Sequence, residues 1–177
     1  DEMEFDKKFK TFFDMIWKKH YSIDKIEPTI EIYEDEFPEV TIITPTYNKR
    51  KFMKLAIRNF QKTDYPQDKI EWIIVDDGEE EIKDLLPEDK RIKYIKLNEK
   101  KSIGEKRNIA CENAKGEYIV CMDDDEYYTP ESVKYRVASL IHLNKNVVAC
   151  SSLGLFDINK LISNVNISSY SVKYYHR

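Results

Sequence analysis

The chain has 177 residues, enough for one domain with a sizeable core, and 41% hydrophobic against 35% charged residues is the balance of a soluble globular protein. A net charge of -4 without a basic stripe argues against nucleic acid as a partner. The longest apolar runs fall far short of the roughly 20 residues needed to cross a bilayer, and no signal-peptide h-region opens the chain, so no segment is expected to span or enter a membrane.

Residues 1–20 place Phe5, Phe9, Phe12, Phe13, Ile16 and Trp17 at three-and-four spacing, which predicts an amphipathic helix that packs on the domain or joins a partner chain in an oligomer. Residues 23–39 are acidic, contain Pro28 and Pro38 and read as a linker with one edge strand. Residues 1–39 are therefore set apart from a main domain over 40–177. In that domain Val40 to Ile43 predicts a strand, about Arg50 to Thr63 a helix, and Ile70 to Val75 a strand. A short helix is expected near Glu79 to Leu86, a strand at Ile92 to Leu97, a helix over Ser102 to Ala114 and a strand at Glu117 to Met122. Thr129 as cap and Pro130 as first helical residue open a helix to about Leu143, and Val147 to Cys150 closes the series as a strand. Alternation of strand and helix implies βαβ units and a mainly parallel sheet, an α/β fold.

Cys111, Cys121 and Cys150 are odd in number and form no CxxC pair, which argues against a disulfide framework and a zinc site and makes a reduced, cytoplasmic setting the expectation. Asn166-Ile167-Ser168 matches a glycosylation sequon without secretory context and is read as chance. The chain opens without Met and stops at Tyr174-Tyr175-His176-Arg177, so a piece of a longer protein is expected.

In a parallel sheet, ligands bind outside the carboxyl ends of the strands. Three such ends carry polar chemistry here: Thr44-Pro45-Thr46-Tyr47-Asn48, Asp76-Asp77-Gly78 and Asp123-Asp124-Asp125. The four glycines, at 78, 104, 116 and 154, build neither GxGxxG nor a Walker loop, so a nucleotide's phosphates would have to be held by a metal and side chains. Asp123 and Asp125 offer hard oxygen ligands for a Mn or Mg divalent cation bridging a diphosphate. Tyr47 offers a ring face to a base, and a carboxylate such as Asp77 can accept the imide N–H of uracil. Taken singly, each has an ordinary explanation: a solvated acidic turn, a rim aromatic, a helix-capping turn.

Val40-Thr-Ile-Ile-Thr-Pro-Thr-Tyr-Asn48, Glu71-Trp-Ile-Ile-Val-Asp-Asp-Gly78, Gly104-Glu-Lys-Arg-Asn108, Gly116-Glu-Tyr-Ile119 and Asp123-Asp-Asp-Glu126 followed by Pro130 together resemble the successive motifs of family 2 glycosyltransferases. The match runs from about Val40 to Leu153, and the set is far more specific than any one member. The resemblance implies the GT-A fold, a Rossmann-like three-layer sandwich, and transfer of a sugar from a nucleotide diphosphate sugar, UDP-sugar preferred, to a glycan, protein or lipid acceptor with inversion. It implies that Asp123 and Asp125 form the metal-binding DxD motif and that Asp124 lies near the ribose. By the same resemblance Pro45, Thr46, Tyr47 and Asn48 line the nucleoside pocket. Asp77 reads the base with Asp76 in support, Arg107 approaches the diphosphate and Asn98 touches the base.

One departure concerns the general base. Inverting members use a carboxylate well after the DxD, and past Leu155 this chain offers only Asp157 and no acidic pair. The acceptor half then lies in a continuing parent chain, or the module binds a nucleotide without acting on it. A rival from another class is a phospho-receiver domain with Asp123 as phosphoacceptor, imitated by Ile74-Val-Asp-Asp77 and Met122-Asp123, although it leaves Thr44 to Asn48 unexplained. His20, His142 and His176 are scattered and read as structural.

Overall fold

The computed structural model describes residues 37–149 and the strand residues 152–157 and 162–167. The expected amphipathic helix over 1–20, and the linker up to residue 36, lie outside the described residues. The described residues group into two compact units, one within Glu31–Leu143 and the other beginning at Asn144.

The first unit is built on strands β1 (Val40–Thr46), β2 (Ile70–Asp76), β3 (Ile92–Lys96) and β4 (Tyr118–Cys121), all parallel, in the order β3-β2-β1-β4. β1 and β2 are nearly continuously buried and rich in β-branched residues because both faces of a parallel sheet are covered. Successive side chains point to opposite faces, which separates two cores. On one face Ile42, Trp72 and Val120 pack with Met53 and Phe60 of α1 (Met53–Lys62) and with Val133 and Val137 of α3 (Ser132–Leu143). The Phe60 and Trp72 rings stack there at 5.2 Å between centroids. On the other face Ile43, Ile73 and Val75 pack with Ala110 of α2 (Ile103–Glu112). Helix, sheet and helix make the three-layer α/β architecture expected from the sequence. Phe37 precedes β1 and is buried edge-on against Tyr65, 4.9 Å between ring centroids.

β2 and β3 extend the sheet to one side of β1 and β4 lies on the other, so strand order reverses between β1 and β4. A crevice at such a reversal is where α/β sheets take their ligands.

Local chemistry explains where elements start and stop. α2 begins with a full capping box: Glu105 N–H donates to Ser102 Oγ at 3.2 Å and Ser102 N–H donates to Glu105 Oε2 at 2.9 Å. The predicted helix over about Arg50 to Thr63 opens as a 3-10 turn, Arg50–Phe52, before α1 proper. α3 starts at Ser132 rather than Pro130: Thr129 supplies its carbonyl to Ser132 N–H, and Pro130 and Glu131 form a turn ahead of the helix.

Two expected elements are absent. Between Gly78 and Pro87 only a 3-10 turn forms, Lys83–Leu85, in place of a helix over Glu79 to Leu86. The stretch is too short to offset helix nucleation by itself, and Ile82 is its only fully buried residue. The Arg50 guanidinium takes the Glu81 carbonyl and grips Asp84 with both Nη atoms. Val147 to Ala149 form no strand, and Cys150 lies outside the described residues. β-branched residues favour a strand only where a neighbouring ladder exists, and Val147 is 55% exposed.

The second unit contains a two-stranded antiparallel pair, β5 (Ser152–Asp157) and β6 (Ile162–Ile167), registered from Ser152 opposite Ile167 to Asp157 opposite Ile162.

Candidate functional site

The chain beyond β1 and the chain beyond β4 are stitched together by hydroxyls on the α1 face of β1. Thr44 Oγ1 accepts from Trp72 Nε1 at 2.8 Å and donates to the Met122 carbonyl at 2.7 Å, satisfying a buried indole while tying three strands at their tips. Two residues on, Thr46 Oγ1 donates to Asp124 Oδ2 at 2.5 Å. Asp124 is buried, and burial pushes its carboxyl above the ordinary range; the Thr46 bond and Lys49 pull it down while Asp125 and Asp123 push it further up.

With Asp124 turned inward, its neighbours turn outward: the side chains of Asp123 and Asp125 are 42% and 37% exposed. Asp123 Oδ1 stands 3.6 Å from Arg107 Nη2 on α2, and Arg107 Nε is buried without a partner. Asp125 Oδ2 accepts from Lys49 Nζ at 2.5 Å, a bond that raises the lysine above its ordinary value. Two outward carboxylates on one tip suit a hard divalent ion of the magnesium or manganese type. Among the described residues no three His, Cys, Asp or Glu side chains are grouped to hold a metal, so a ligand and water would have to supply the remaining oxygens.

The acidic turn is braced from beneath. Asp123 N–H donates to the Tyr128 hydroxyl at 3.0 Å, and that hydroxyl donates to Glu126 Oε2 at 2.7 Å. Asn59, buried on α1, donates from Nδ2 to the Glu126 carbonyl at 2.8 Å and accepts from Tyr128 N–H.

The end of β2 is equally occupied. Asp76 is buried, its Oδ1 accepting from Gly78 N–H at 2.8 Å and its Oδ2 from the Tyr94 hydroxyl at 2.6 Å. Asp77 points to the opposite face, where its fully buried side chain accepts from Lys106 Nζ at 2.6 Å and from Lys101 N–H at 2.7 Å. Burial would raise that carboxyl, but the Lys106 ammonium and the Lys101 amide outweigh it and hold the group below its ordinary range. Lys106 also donates to the Thr46 carbonyl at 2.9 Å, so one ammonium joins β1, β2 and α2.

Tyr47 is half-buried beyond β1, with Lys100 Nζ 4.2 Å and Lys106 Nζ 5.9 Å from its ring centre. Asn48 adopts φ 52°, and its Oδ1 accepts from Glu79 N–H at 2.7 Å. Gly78 is required opposite it: an added Cβ would lie 2.7 Å from Asn48 N and 2.8 Å from Asn48 Oδ1. Pro45 is half-buried near the end of β1. Asn98 is exposed in the bend after β3 and engages none of the other candidate side chains among the described residues.

The fold thus brings Thr46, Tyr47, Asn48, Asp76, Asp77, Arg107, Asp123, Asp124 and Asp125 to one sheet edge, and leaves Asn98 on its rim. Sequence reasoning missed Lys49, Lys106, Asn59 and Tyr128. Asn59 carries a usable signal, a polar residue beside Met53, Ala56 and Phe60 on the buried stripe of α1. Lys49 carries none, since lysines are common beside any polar loop, and Lys106 lies inside the Gly104 to Asn108 motif, where attention went to Arg107.

A family-wide sequence profile described as "Glycosyl transferase family 2" matches residues 41–175. The poly(ribitol-phosphate) beta-N-acetylglucosaminyltransferase TarS of Staphylococcus aureus is 27% identical over 120 residues, covering 65% of this chain and 21% of TarS. The GalNAc(5)-diNAcBac-PP-undecaprenol beta-1,3-glucosyltransferase of Campylobacter jejuni is 30% identical over 95 residues, covering 50% of this chain and 30% of that enzyme. The chain therefore spans less than a third of either relative. Among solved structures, residues 1–349 of S. aureus TarS in complex with UDP-GlcNAc superpose with a TM-score of 0.53 at 25% identity, covering 64% of this chain and 37% of that one. The mannosyltransferase PcManGT from Pyrobaculum calidifontis, in complex with GDP-Man and Mn2+, shares the fold with a TM-score of 0.56 at 23% identity, covering 80% of this chain and 40% of that one. With a profile match across most of its length, on a GT-A-type parallel sheet whose carboxylate-bearing strand ends converge, the chain belongs to glycosyl transferase family 2.

Proposed function

We propose that residues 40–177 form the donor-binding domain of a metal-dependent, inverting glycosyltransferase that uses a nucleotide diphosphate sugar, UDP-sugar in preference to others. The observation that carries this reading is the convergence of Thr46, Asp77, Arg107 and the Asp123 to Asp125 turn at the reversal of strand order. In the reaction an acceptor hydroxyl attacks the anomeric carbon, the bond from that carbon to the diphosphate breaks, and the diphosphate leaves with added negative charge. Asp123 and Asp125 would hold a manganese or magnesium ion, which would supply Lewis-acid stabilisation of that charge. Arg107 pairs with phosphate oxygens through its fork of donors. Tyr47 stacks on the base once Lys100 leaves its ring, and Asp77, kept ionised by Lys106, accepts the imide N–H of uracil on Oδ2 once the Lys101 amide releases it.

The preference for uridine is supported by the TarS complex with UDP-GlcNAc at 25% identity. Inversion requires an acceptor-side carboxylate base, and no such residue is assigned among those described. Cytoplasmic action is our reading of the unpaired Cys111 and Cys121; among the described residues no helix is long and apolar enough to cross a membrane. A receiver domain does not fit, because receivers order their strands 2-1-3-4-5 and the sheet here runs β3-β2-β1-β4.

Calorimetry against uridine, guanosine and cytidine diphosphates, with and without manganese, tests the proposal. UDP should bind tightest and only with metal, Asp125→Ala should abolish that metal-dependent binding, and Tyr47→Ala should weaken it while preserving the metal effect. Affinities unchanged in both variants, or no nucleotide bound at all, would refute the site. Donor hydrolysis or transfer by the full-length enzyme would exclude a silent nucleotide-binding module.

A further inference from the structure

We propose that Lys49 is an exchangeable counter-ion of this site: its ammonium neutralises Asp125 in the ligand-free chain and passes to the donor's diphosphate when a divalent cation takes that carboxylate. The inference rests on the donor-site reading above and adds to it a residue for which neither the motifs nor the family assignment gives a role.

The geometry supports it at the Asp125 end of the exchange. Lys49 lies three residues past β1 and Asp125 lies in the turn past β4, so their 2.5 Å contact spans the reversal of strand order where a ligand would enter. The ammonium has one carboxylate partner and otherwise stands 5.1 Å from the Phe52 ring centre. Both partners are more than a third exposed, at 39% and 37%, so the pair can open without cavity or strain. Exposed pairs of this kind contribute little to stability, and little is lost in breaking it.

Charge drives the exchange. An ammonium hydrogen-bonded to a metal-ligating carboxylate would face a divalent cation at short range, and like charges at that distance repel. Lys49 has a flexible four-carbon stem and three donors, so it can swing from Asp125 to the phosphate oxygens that a cation on the same turn would hold. Arg107 flanks Asp123 on the other side at 3.6 Å, so both outward carboxylates are held by a cation from the chain itself. Manganese alone must then compete with Lys49, whereas manganese with a diphosphate gives Lys49 a new partner.

The test uses manganese alone, read by electron paramagnetic resonance, and UDP in saturating manganese, read by calorimetry, on the chain and its Lys49→Met and Lys49→Arg variants. Lys49→Met should bind manganese alone about two- to fivefold more tightly and UDP with manganese more weakly by a similar factor, the size of an exposed ion pair. Lys49→Arg should stay near the parent in both. Equal or weaker manganese binding by Lys49→Met, or UDP affinity unchanged in it, overturns the exchange while leaving the donor site standing. Failure of the parent chain to bind UDP in manganese would remove the donor site and this proposal together.

Discussion

The Thr46 hydroxyl donates a 2.5 Å hydrogen bond to the carboxylate of Asp124, 78 positions further along the chain, and both residues are buried. This contact turns the middle aspartate of the acidic run inward and leaves Asp123 and Asp125 facing out. Thr46→Val keeps the shape and removes the donor, so Asp124 would stay buried without its hydroxyl partner. We expect a loss of about 1–3 kcal/mol in urea unfolding, together with weaker binding of manganese by the turn. Unaltered stability and metal binding would show that Asp124 is oriented by something else.

The Lys106–Asp77 pair sets a pH dependence whose sign can be worked out. Asp77 is held below its ordinary carboxyl range, so its contribution is present above that range and is lost as pH falls through the lowered value. In Lys106→Met the buried carboxyl loses its ammonium, and burial then raises it instead. The variant should be less stable at neutral pH by about 3–5 kcal/mol, the usual cost of an uncompensated buried charge. The gap should shrink on acidification, as protonation relieves Asp77 in the variant while the parent loses its benefit. A gap that widens in acid would contradict the assignment.

Gly116 and Gly78 separate two kinds of close approach. A Cβ at Gly116 would lie 2.4 Å from Thr41 N and 2.5 Å from the Val40 carbonyl carbon, both backbone atoms of the central strand. Gly116→Ala should therefore cost the upper end of the overpacking range, about 3 kcal/mol or more, by lowering the unfolding midpoint. Gly78→Ala meets Asn48 N at 2.7 Å in the site itself and should disturb UDP binding along with stability.

Tyr128→Phe removes only the hydroxyl that accepts from Asp123 N–H and donates to Glu126. The ring stays packed against the α1-face core, so the expected stability loss is about 1 kcal/mol. Manganese binding should fall more than stability does, because the amide of Asp123, which we propose as a metal ligand, has lost its anchor. Equal affinity for manganese in the parent and the variant would show the brace to be dispensable.

The sheet was legible because its cause is local. Val40 to Ile43 and Ile70 to Val75 are β-branched apolar runs that both faces of a parallel sheet demand, and the capping residue Ser102 starts its helix where the spacing predicts. Legibility failed where a partner outside the window decides. The stretch from Glu79 to Leu86 forms no α-helix while Arg50, distant in sequence, holds Glu81 and Asp84, and Val147 to Ala149 pair with no strand among the described residues.

The same division runs through the site. Residue order alone determined that polar groups stand at the ends of β1, β2 and β4, since side-chain alternation and strand termini are properties of short segments. Only the tertiary structure decided which carboxylates are available. Asp77 is engaged by Lys106 and Lys101, Asp124 by Thr46, and Asp125 by Lys49, because parallel strands joined by crossovers bring together side chains that lie dozens of residues apart. A carboxylate's charge and direction depend on the donors within about 3 Å of it, and no span of sequence contains those neighbours.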